Sequence, residues 1–232
     1  EKLFDNHDKA SNILSGNIPL QNGSNDHDEH TLTNLTKESP KFFQFQKKYI
    51  ITGIKSGLVI IDQMLAHQRI LYERFIREIG DKSSASQKLL FPITVNIAPN
   101  DIPIMEEITT QLEALGFQWD VTQHGEIEIS GKPAIITDTA ITTLFESIIE
   151  AWKNGTEGGH DEAQTRIAKQ MAQKLAVPHG MILEESEMSL LIDQLFSCAY
   201  SEYAPNGEKI FTIIGFDVLH EMFLNDHNKN KE

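Results

Sequence analysis

The chain has 232 residues, of which 40% are hydrophobic and 23% are charged, and its formal net charge is −14. This supplies enough apolar material for a core, and the length allows one or two domains. The acidic balance argues against a primary DNA-binding protein, because such proteins rely on Lys and Arg to neutralise phosphates. We therefore expect any contact with DNA to be weak or indirect.

Cellular location can be judged from what the sequence lacks. No apolar run approaches the roughly 20 residues that a membrane-spanning helix needs, and no signal peptide opens the chain. The single cysteine, Cys198, excludes an intrachain disulfide and fits a reducing compartment. We predict a cytoplasmic protein with no membrane partner. Because the first residue is Glu1 rather than Met, we also expect a fragment of a longer protein.

Residues 1–40 are rich in Asn, Asp, Ser and Thr and show no apolar period. Such a segment buries too little apolar surface to offset the entropy lost on ordering, so it is predicted to be a disordered linker. Residues 27–30 read HDEH, which is a possible metal-binding run. In so polar a segment a solvated tail is the better interpretation.

Ordered structure is predicted from Lys41. Alternation around Phe43 and Phe45, followed by apolar runs at residues 49–54 and 58–62, indicates an antiparallel hairpin. Residues 66–79 carry apolar side chains at helical spacing, and Gly80 is expected to end that helix.

The remainder of the chain alternates helical and strand patterns. Strands are predicted at residues 93–97, 117–121, 126–129 and 210–214; helices are predicted at residues 104–115, 139–152, 166–175, 186–196 and 216–223. No internal repeat is present, so the pattern predicts the α+β fold class.

The segment with the most specific pattern lies where the second strand of the hairpin meets the first long helix. Residues 62–73 read DQMLAHQRILYE. This resembles the signature Asp-Gln-His-Ala-x-x-Glu-x-x-x-x-Glu of the MutL C-terminal dimerisation domain, a family of DNA mismatch-repair proteins. Asp62, Gln63 and Glu73 match the signature, and active members of the family use this segment in a metal-dependent endonuclease site.

The departures from the signature affect the metal-binding positions. Met64 stands where the family has His, and Gln68 stands where it has the first Glu. A thioether and a neutral amide are poor replacements for imidazole and carboxylate ligands of a divalent ion.

The downstream motifs are altered in the same way. Residues 172–174 align with the family's Cys-containing triplet, and residues 204–209 align with its Cys-Pro-His-Gly-Arg-Pro loop. The ligands become Gln173, Ala204 and Asn206. The resemblance therefore implies a vestigial motif, of which Asp62, Gln68 and Glu73 are the remaining outline, with no catalytic residue, no metal and no cofactor in this domain.

Residues 87–92 read QKLLFP, which resembles the family's Gln-x-x-Leu/Ile-x-Pro segment that docks on the bacterial sliding clamp. Gln87 would supply an amide anchor, while Leu90 and Pro92 would form a stiff apolar plug. The alternative is an ordinary linker that leads into the strand at Ile93.

The resemblance also implies a domain organisation. A dimerisation subdomain would be split between residues 41–92 and 161–232, and an inserted regulatory subdomain would occupy residues 93–160. The expected partners are a second copy of the chain, the sliding clamp and other mismatch-repair proteins, with association to the nucleoid during repair. The family's ATPase lies in a separate N-terminal domain.

Two other functions remain open at this stage. The first is an active metal-dependent nicking endonuclease domain of the same family. The second is an unrelated small-molecule-binding α+β domain whose match to the signature is accidental. A thiol hydrolase built on Cys198 and His220 is disfavoured, since no nucleophile motif surrounds Cys198.

Overall fold

The computed structural model describes residues 41–82, 84–122, 126–154 and 160–225. The predicted linker at residues 1–40, including the HDEH run, lies outside the described residues. The described part is a mixed α+β structure with two antiparallel sheets, as the sequence predicts. Contacts divide the chain into two compact units. The first contains residues 41–66 and 177–225 of the described chain, and the second contains residues 67–176.

A four-stranded antiparallel sheet forms the first unit. Its strands are β1 (Phe42–Phe45), β2 (Tyr49–Ile54), β3 (Gly57–Asp62) and β7 (Phe211–Gly215), in the order β1-β2-β3-β7. The short turn at residues 55–56 joins β2 to β3, as expected from the two apolar runs. Helix α6 (Glu185–Phe196) packs near β1, and helix α7 (Phe216–Asn225) follows β7 directly.

The two faces of this sheet differ in how well they are covered. Directly paired residues such as Ile50 and Ile61 share one face, and both are fully buried. The opposite face, called here the open face, carries the pairs Phe43–Ile51, Phe45–Tyr49, Ile51–Ile60, Gly53–Leu58, Ile60–Thr212 and Leu58–Ile214. Its apolar side chains are half-buried or exposed.

The second unit begins within α1 (Gln63–Asp81), the helix that follows β3. Its sheet has the order β4-β6-β5, formed by β4 (Ser86–Val95), β5 (Gln118–Val121) and β6 (Ile127–Pro133). Its other helices are α2 (Ile102–Glu107), α3 (Thr109–Ala114), α4 (Ile141–Lys153) and α5 (His160–Leu175). The core includes Phe117 and Phe145, whose rings meet edge to face.

Three local details differ from the sequence-based expectations. Helix α1 begins at Gln63 rather than residue 66 and passes through Gly80 to Asp81. The single helix expected at residues 104–115 is interrupted at Ile108, whose φ and ψ of −95° and 4° lie outside the helical range. Residues 87–92, which precede the strand predicted at residues 93–97, belong to β4. No helix in the described residues is long and apolar enough to cross a membrane.

Candidate functional site

Asp62 occupies the junction between β3 and α1. Its Oδ1 accepts hydrogen bonds from the backbone amides of Met64 (3.0 Å) and Leu65 (3.1 Å), while its own amide donates to the carbonyl of Ile210 (2.9 Å). A carboxylate that accepts amides of the first helical turn is an N-terminal cap, and its charge also favours the positive end of the helix. Asp62 therefore has a structural role that accounts for the early start of α1.

His179 lies against the same carboxylate. Its Nε2 is 3.1 Å from Oδ1 and 3.2 Å from Oδ2 of Asp62. The Asp62 side chain is nearly buried, whereas that of His179 is about one-third exposed. In the sequence, the run Pro178-His179-Gly180 indicates only a turn. The contact joins positions 117 residues apart, so no local pattern could have revealed it.

Gln63 binds the turn at residues 178–181, which carries His179. It is fully buried, and its Nε2 donates to the carbonyls of Lys47 (3.0 Å), Pro178 (3.3 Å) and Met181 (3.3 Å). Its Oε1 accepts from Nε2 of Gln44 at 2.7 Å. The second residue of the signature is thus a positioning residue that holds the turn on which His179 is carried.

Gln44 completes this amide network. Its Nε2 also donates to the carbonyl of Met181 (2.8 Å), and its Oε1 accepts from the amide of Leu183 (3.3 Å). The network lies entirely within the first unit and ties the end of β1 to the chain segment that returns from the second unit. Sequence reasoning missed this network, although Gln63, which directly follows the apolar run at residues 58–62, was a signal for it.

The part of the signature segment from His67 onward lies in the second unit, on α1. His67 is completely buried, and burial lowers its pKa to about 3, with the nearby Arg74 adding to the effect. Gln68 is also buried, and its Oε1 has no hydrogen-bond partner among the described residues. Glu73 lies 3.8 Å from Arg69. Buried side chains at these positions are neutral or paired with a cation rather than arranged as anionic ligands.

The two downstream segments are placed in different units. Residues 172–174 lie in α5 of the second unit, where Ala172 is fully buried. Residues 204–209 form a loop of the first unit, in which Gly207 has a φ of 89° and Oδ1 of Asn206 accepts the amide of Glu208 at 3.0 Å. The left-handed backbone at Gly207 explains why glycine is kept there although the ligands around it are replaced.

An open groove of about 430 Å³ connects Asp62 with this loop. Its lining includes two carboxylates, Asp62 and Glu208. The other lining residues are Lys209 and the mainly apolar set Tyr49, Ile60, Leu65, Ile210, Phe211 and Thr212. Within the described residues, no group of three or more His, Cys, Asp or Glu could hold a metal ion. The donors present do not fit the zinc-type site of the active family members, because both Asp62 oxygens contact His179 and the aligned ligand positions are thioether, amide or methyl groups.

The predicted docking segment is an irregular part of an edge strand. Ser86, Gln87 and Lys88 pair with Pro133, Lys132 and Gly131 of β6, and pairing resumes at Ile93 opposite Ile129. Residues 89–92 thus stand opposite the single residue Ser130, which makes a long, irregular bulge. Leu90 is 87% exposed and Phe91 is 78% exposed.

The segment that resembles the family signature thus forms the junction between β3 and α1, beside a four-stranded antiparallel sheet. A family model described as the MutL C terminal dimerisation domain matches residues 42–183. The chain belongs to this MutL C-terminal domain family. This membership excludes the unrelated small-molecule-binding domain considered above.

Curated relatives agree with the family assignment. The DNA mismatch repair protein MutL of Flavobacterium johnsoniae is 35% identical over 189 residues, covering 82% of this chain and 29% of that protein. The MutL proteins of Christiangramia forsetii and Phocaeicola vulgatus are each 33% identical, covering 78% and 87% of this chain and 29% and 32% of their own lengths. The chain therefore spans less than one third of the length of these relatives.

Proposed function

We propose that the chain is the homodimerisation and partner-docking domain of a bacterial MutL-type mismatch-repair protein, and that it lacks endonuclease activity. The open face of the first sheet is the observation that carries this proposal. A partner that covers this face would bury apolar surface that the first unit leaves in water.

The composition of the open face supports self-association. Phe43 is 62% exposed, Phe45 is exposed, and the neighbouring Ile51, Leu58 and Ile60 are only half-buried. Contiguous apolar surface of this kind marks an interaction site in a globular protein. A two-fold homodimer is the commonest way for a soluble chain to bury such a surface, since the same patch serves both copies.

Helix α7 also carries exposed apolar side chains. Phe223 is 78% exposed, and most other apolar residues of the helix are exposed too: Phe216, Val218, Met222 and Leu224. The helix packs near β7 and β3. A helix that presents apolar side chains on several sides needs a further surface to cover it.

Sedimentation of the full chain tests the dimer. We expect a two-fold dimer for the unmodified chain and a shift towards monomer for Phe43→Glu and Phe223→Glu, because each places a charge in the proposed interface. Ile182→Glu is the matched control, since Ile182 belongs to the same unit and is 60% exposed but lies outside the open face and α7. A chain that stays monomeric at high micromolar concentration contradicts the proposal.

The proposed loss of nuclease activity is supported by the chemistry around Asp62. Its carboxylate caps α1 and contacts His179, and the ligand positions at Met64, Gln68, Gln173, Ala204 and Asn206 lack the groups that hold a metal and activate water. The competing function is an active nicking endonuclease. Stoichiometric zinc or manganese in the pure protein, with manganese-dependent nicking of supercoiled plasmid that Asp62→Asn abolishes, would establish that alternative.

The exposed bulge at residues 89–92, directly after Gln87 and Lys88, supports docking on the sliding clamp. Gln87 sits in a regular part of the ladder, and Leu90 and Pro92 are exposed beyond it. A short segment buries little area, so we expect micromolar or weaker binding. The test is titration of a purified clamp with the unmodified chain and with Gln87→Ala/Leu90→Ala, and equal binding by both contradicts this role.

The wider setting follows from the family. We propose that the domain holds two ATPase arms of the parent protein together, which gives one arm a high effective concentration for the other. It would act in the cytoplasm, associated with the nucleoid through the clamp and other mismatch-repair proteins. Direct contact with DNA would contribute little, given the net charge of −14.

A further inference from the structure

The open face of the first sheet has different shapes at its two edges. At the β1 edge, Phe43 and Phe45 are both exposed, so two aromatic rings project from the face. Towards the β7 edge lies the groove of about 430 Å³, whose lining includes Ile60 and Thr212 of the same face. One face thus carries both a projecting pair of rings and a groove that could receive a side chain.

Strand pairing places Phe43 and the groove in one row across the sheet. Phe43 is paired with Ile51, Ile51 with Ile60, and Ile60 with Thr212. Directly paired residues lie side by side on the same face, so this row runs from β1 to β7. Neighbouring strands are about 4.8 Å apart, so three spacings separate Phe43 from Thr212 by roughly 14 Å. Phe43 therefore cannot fill the groove of its own chain.

Two symmetric arrangements are available when the open faces of two copies meet, because a two-fold axis in the plane between them can run across or along the strands. Both arrangements keep the strands of the two sheets nearly aligned, as packed sheets require. An axis across the strands sets β1 over β1, which puts ring against ring and leaves both grooves unfilled. An axis along the strands sets β1 over β7 and keeps each row opposite itself, so that Phe43 of each copy lies over the groove of the other. Since packed protein interiors contain few voids, the second arrangement is favoured.

The groove can accept an aromatic ring at this row without burying an unpaired charge. The row of Phe43 contributes Ile60 and Thr212 to the lining, and both are uncharged. Asp62 lies in the neighbouring row, paired with Tyr49, and its carboxylate already accepts two amides at the start of α1. The desolvation that opposes burial of a free carboxylate therefore does not arise beneath the ring.

We infer that two copies of the chain pair about an axis parallel to the strands of the first sheet, with Phe43 of each copy filling the groove beside Thr212 of the other. The inference rests on the proposed homodimer and specifies its arrangement. In such an isologous pair the same contact occurs twice. An aromatic side chain that fills a pocket at an interface contributes a large share of the binding energy.

Disulfide formation between engineered cysteines in the full chain tests this arrangement. In a Cys198→Ser background, Phe43→Cys/Thr212→Cys should form a covalent dimer on mild oxidation, seen as a doubled mass in non-reducing electrophoresis. A bond within one chain is excluded, because a disulfide requires Cα atoms within about 7 Å of each other. Two facing sheets can be bridged in this way, as in antibody domains. Ile182→Cys/Thr212→Cys is the matched control and should stay uncrosslinked, since Ile182 is exposed but lies outside the open face.

Sedimentation supplies a second measurement that leaves Phe43 in place. Thr212→Trp should fill the groove with the chain's own side chain and raise the dissociation constant of the dimer by at least about tenfold. With β7 over β7, the same substitution would fill an empty groove and would not weaken the dimer. Ile182→Trp is the control for adding a large side chain at an exposed position of the same unit, and it should dimerise as the unmodified chain does.

The outcomes separate this inference from the proposed function. If the unmodified chain stays monomeric at high micromolar concentration, both fail. If it dimerises but Phe43→Cys alone crosslinks as well as the double variant does, β1 lies over β1, so the dimer stands and the inference is refuted. If Thr212→Trp dimerises within about twofold of the unmodified chain, the groove receives no partner side chain and the inference is again refuted.

Discussion

Replacing Gln63 tests whether the amide network holds the first unit together. The side chain is fully buried and makes two hydrogen bonds of 2.7 and 3.0 Å and two of 3.3 Å. In Gln63→Ala its partners keep other contacts: the Lys47 carbonyl still accepts from Gly180, and Gln44 still donates to Met181. No partner is then left without a hydrogen bond, so the loss should be about 2–3 kcal/mol, from roughly 1 kcal/mol for each shorter bond plus the cavity.

Gln63→Glu should be more harmful than Gln63→Ala. It replaces the Nε2 donor with an oxygen that faces the carbonyls of Lys47, Pro178 and Met181. A buried, unpaired carboxylate among acceptors should cost more than about 4 kcal/mol. The order of the two variants therefore reports on hydrogen bonding rather than on side-chain volume.

Hydrogen exchange measured by mass spectrometry follows each unit separately. For Gln63→Ala, peptides from residues 49–62 should exchange roughly 30- to 150-fold faster, since each tenfold corresponds to about 1.4 kcal/mol. Peptides from α4 provide an internal reference within the second unit, and Gln87→Ala is the control for an exposed glutamine. Acceleration below about fivefold, or a milder effect for Gln63→Glu than for Gln63→Ala, would refute the reasoning.

Three further changes test other parts of the structure. Burial lowers the pKa of His67 from 6.5 to about 3 in the folded chain, so the unfolded chain takes up a proton first as the pH drops. The free energy of unfolding should therefore fall between pH 6.5 and pH 3, by up to about 1.4 kcal/mol per pH unit. His67→Leu should remove that part of the pH dependence in urea titrations at several pH values. Gly57→Ala should destabilise the first sheet by about 2–3 kcal/mol or more, because the added Cβ would lie 2.9 Å from Cα of Gly215. Gly53→Ala in β2 is the control and should not destabilise the sheet in this way, since its Cβ would meet nothing within 4 Å. Similar urea midpoints for the two variants would refute this prediction. Asp62→Ala should lower the free energy of unfolding by about 1–2 kcal/mol, because it removes the cap of α1. Asp62→Asn should lower it less, since asparagine also caps helices. Equal losses of stability in thermal unfolding would show that the cap is not the main role of Asp62.

The sequence-based predictions were accurate where an element is determined by residues that are close together in the sequence. The apolar runs of β2 and β3 and the helical spacing around Phe75 are local patterns, and the structure contains the predicted elements. Gly80 was expected to end α1, but the cost of one glycine, about 1 kcal/mol, did not stop a helix with such an apolar face. The left-handed residue comes two positions later, at Lys82, with a φ of 49°.

The errors at the candidate site share a physical cause. The strand predicted at residues 93–97 excludes Gln87, because its strand partner, Lys132, lies 45 residues further on and carries no recognisable pairing pattern. For Asp62, which was assigned to the vestigial motif, the additional capping of α1 was not predicted. The contact with His179 required knowledge of how the chain returns to the first unit, which periodicity does not contain.

The tie between Gln63 and the turn at Pro178 has a consequence for the order of folding. These residues are separated by 115 positions, so closing this loop in an unfolded chain would cost about 4 kcal/mol or more in conformational entropy. If residues 67–176 fold first, their ends are already held near each other and much of that cost has been met by local contacts. We therefore expect the inserted unit to acquire protection in pulse-labelling refolding experiments before β1, β2 and β3 do. The first unit, although it contains the beginning of the ordered chain, would then be the last part to assemble.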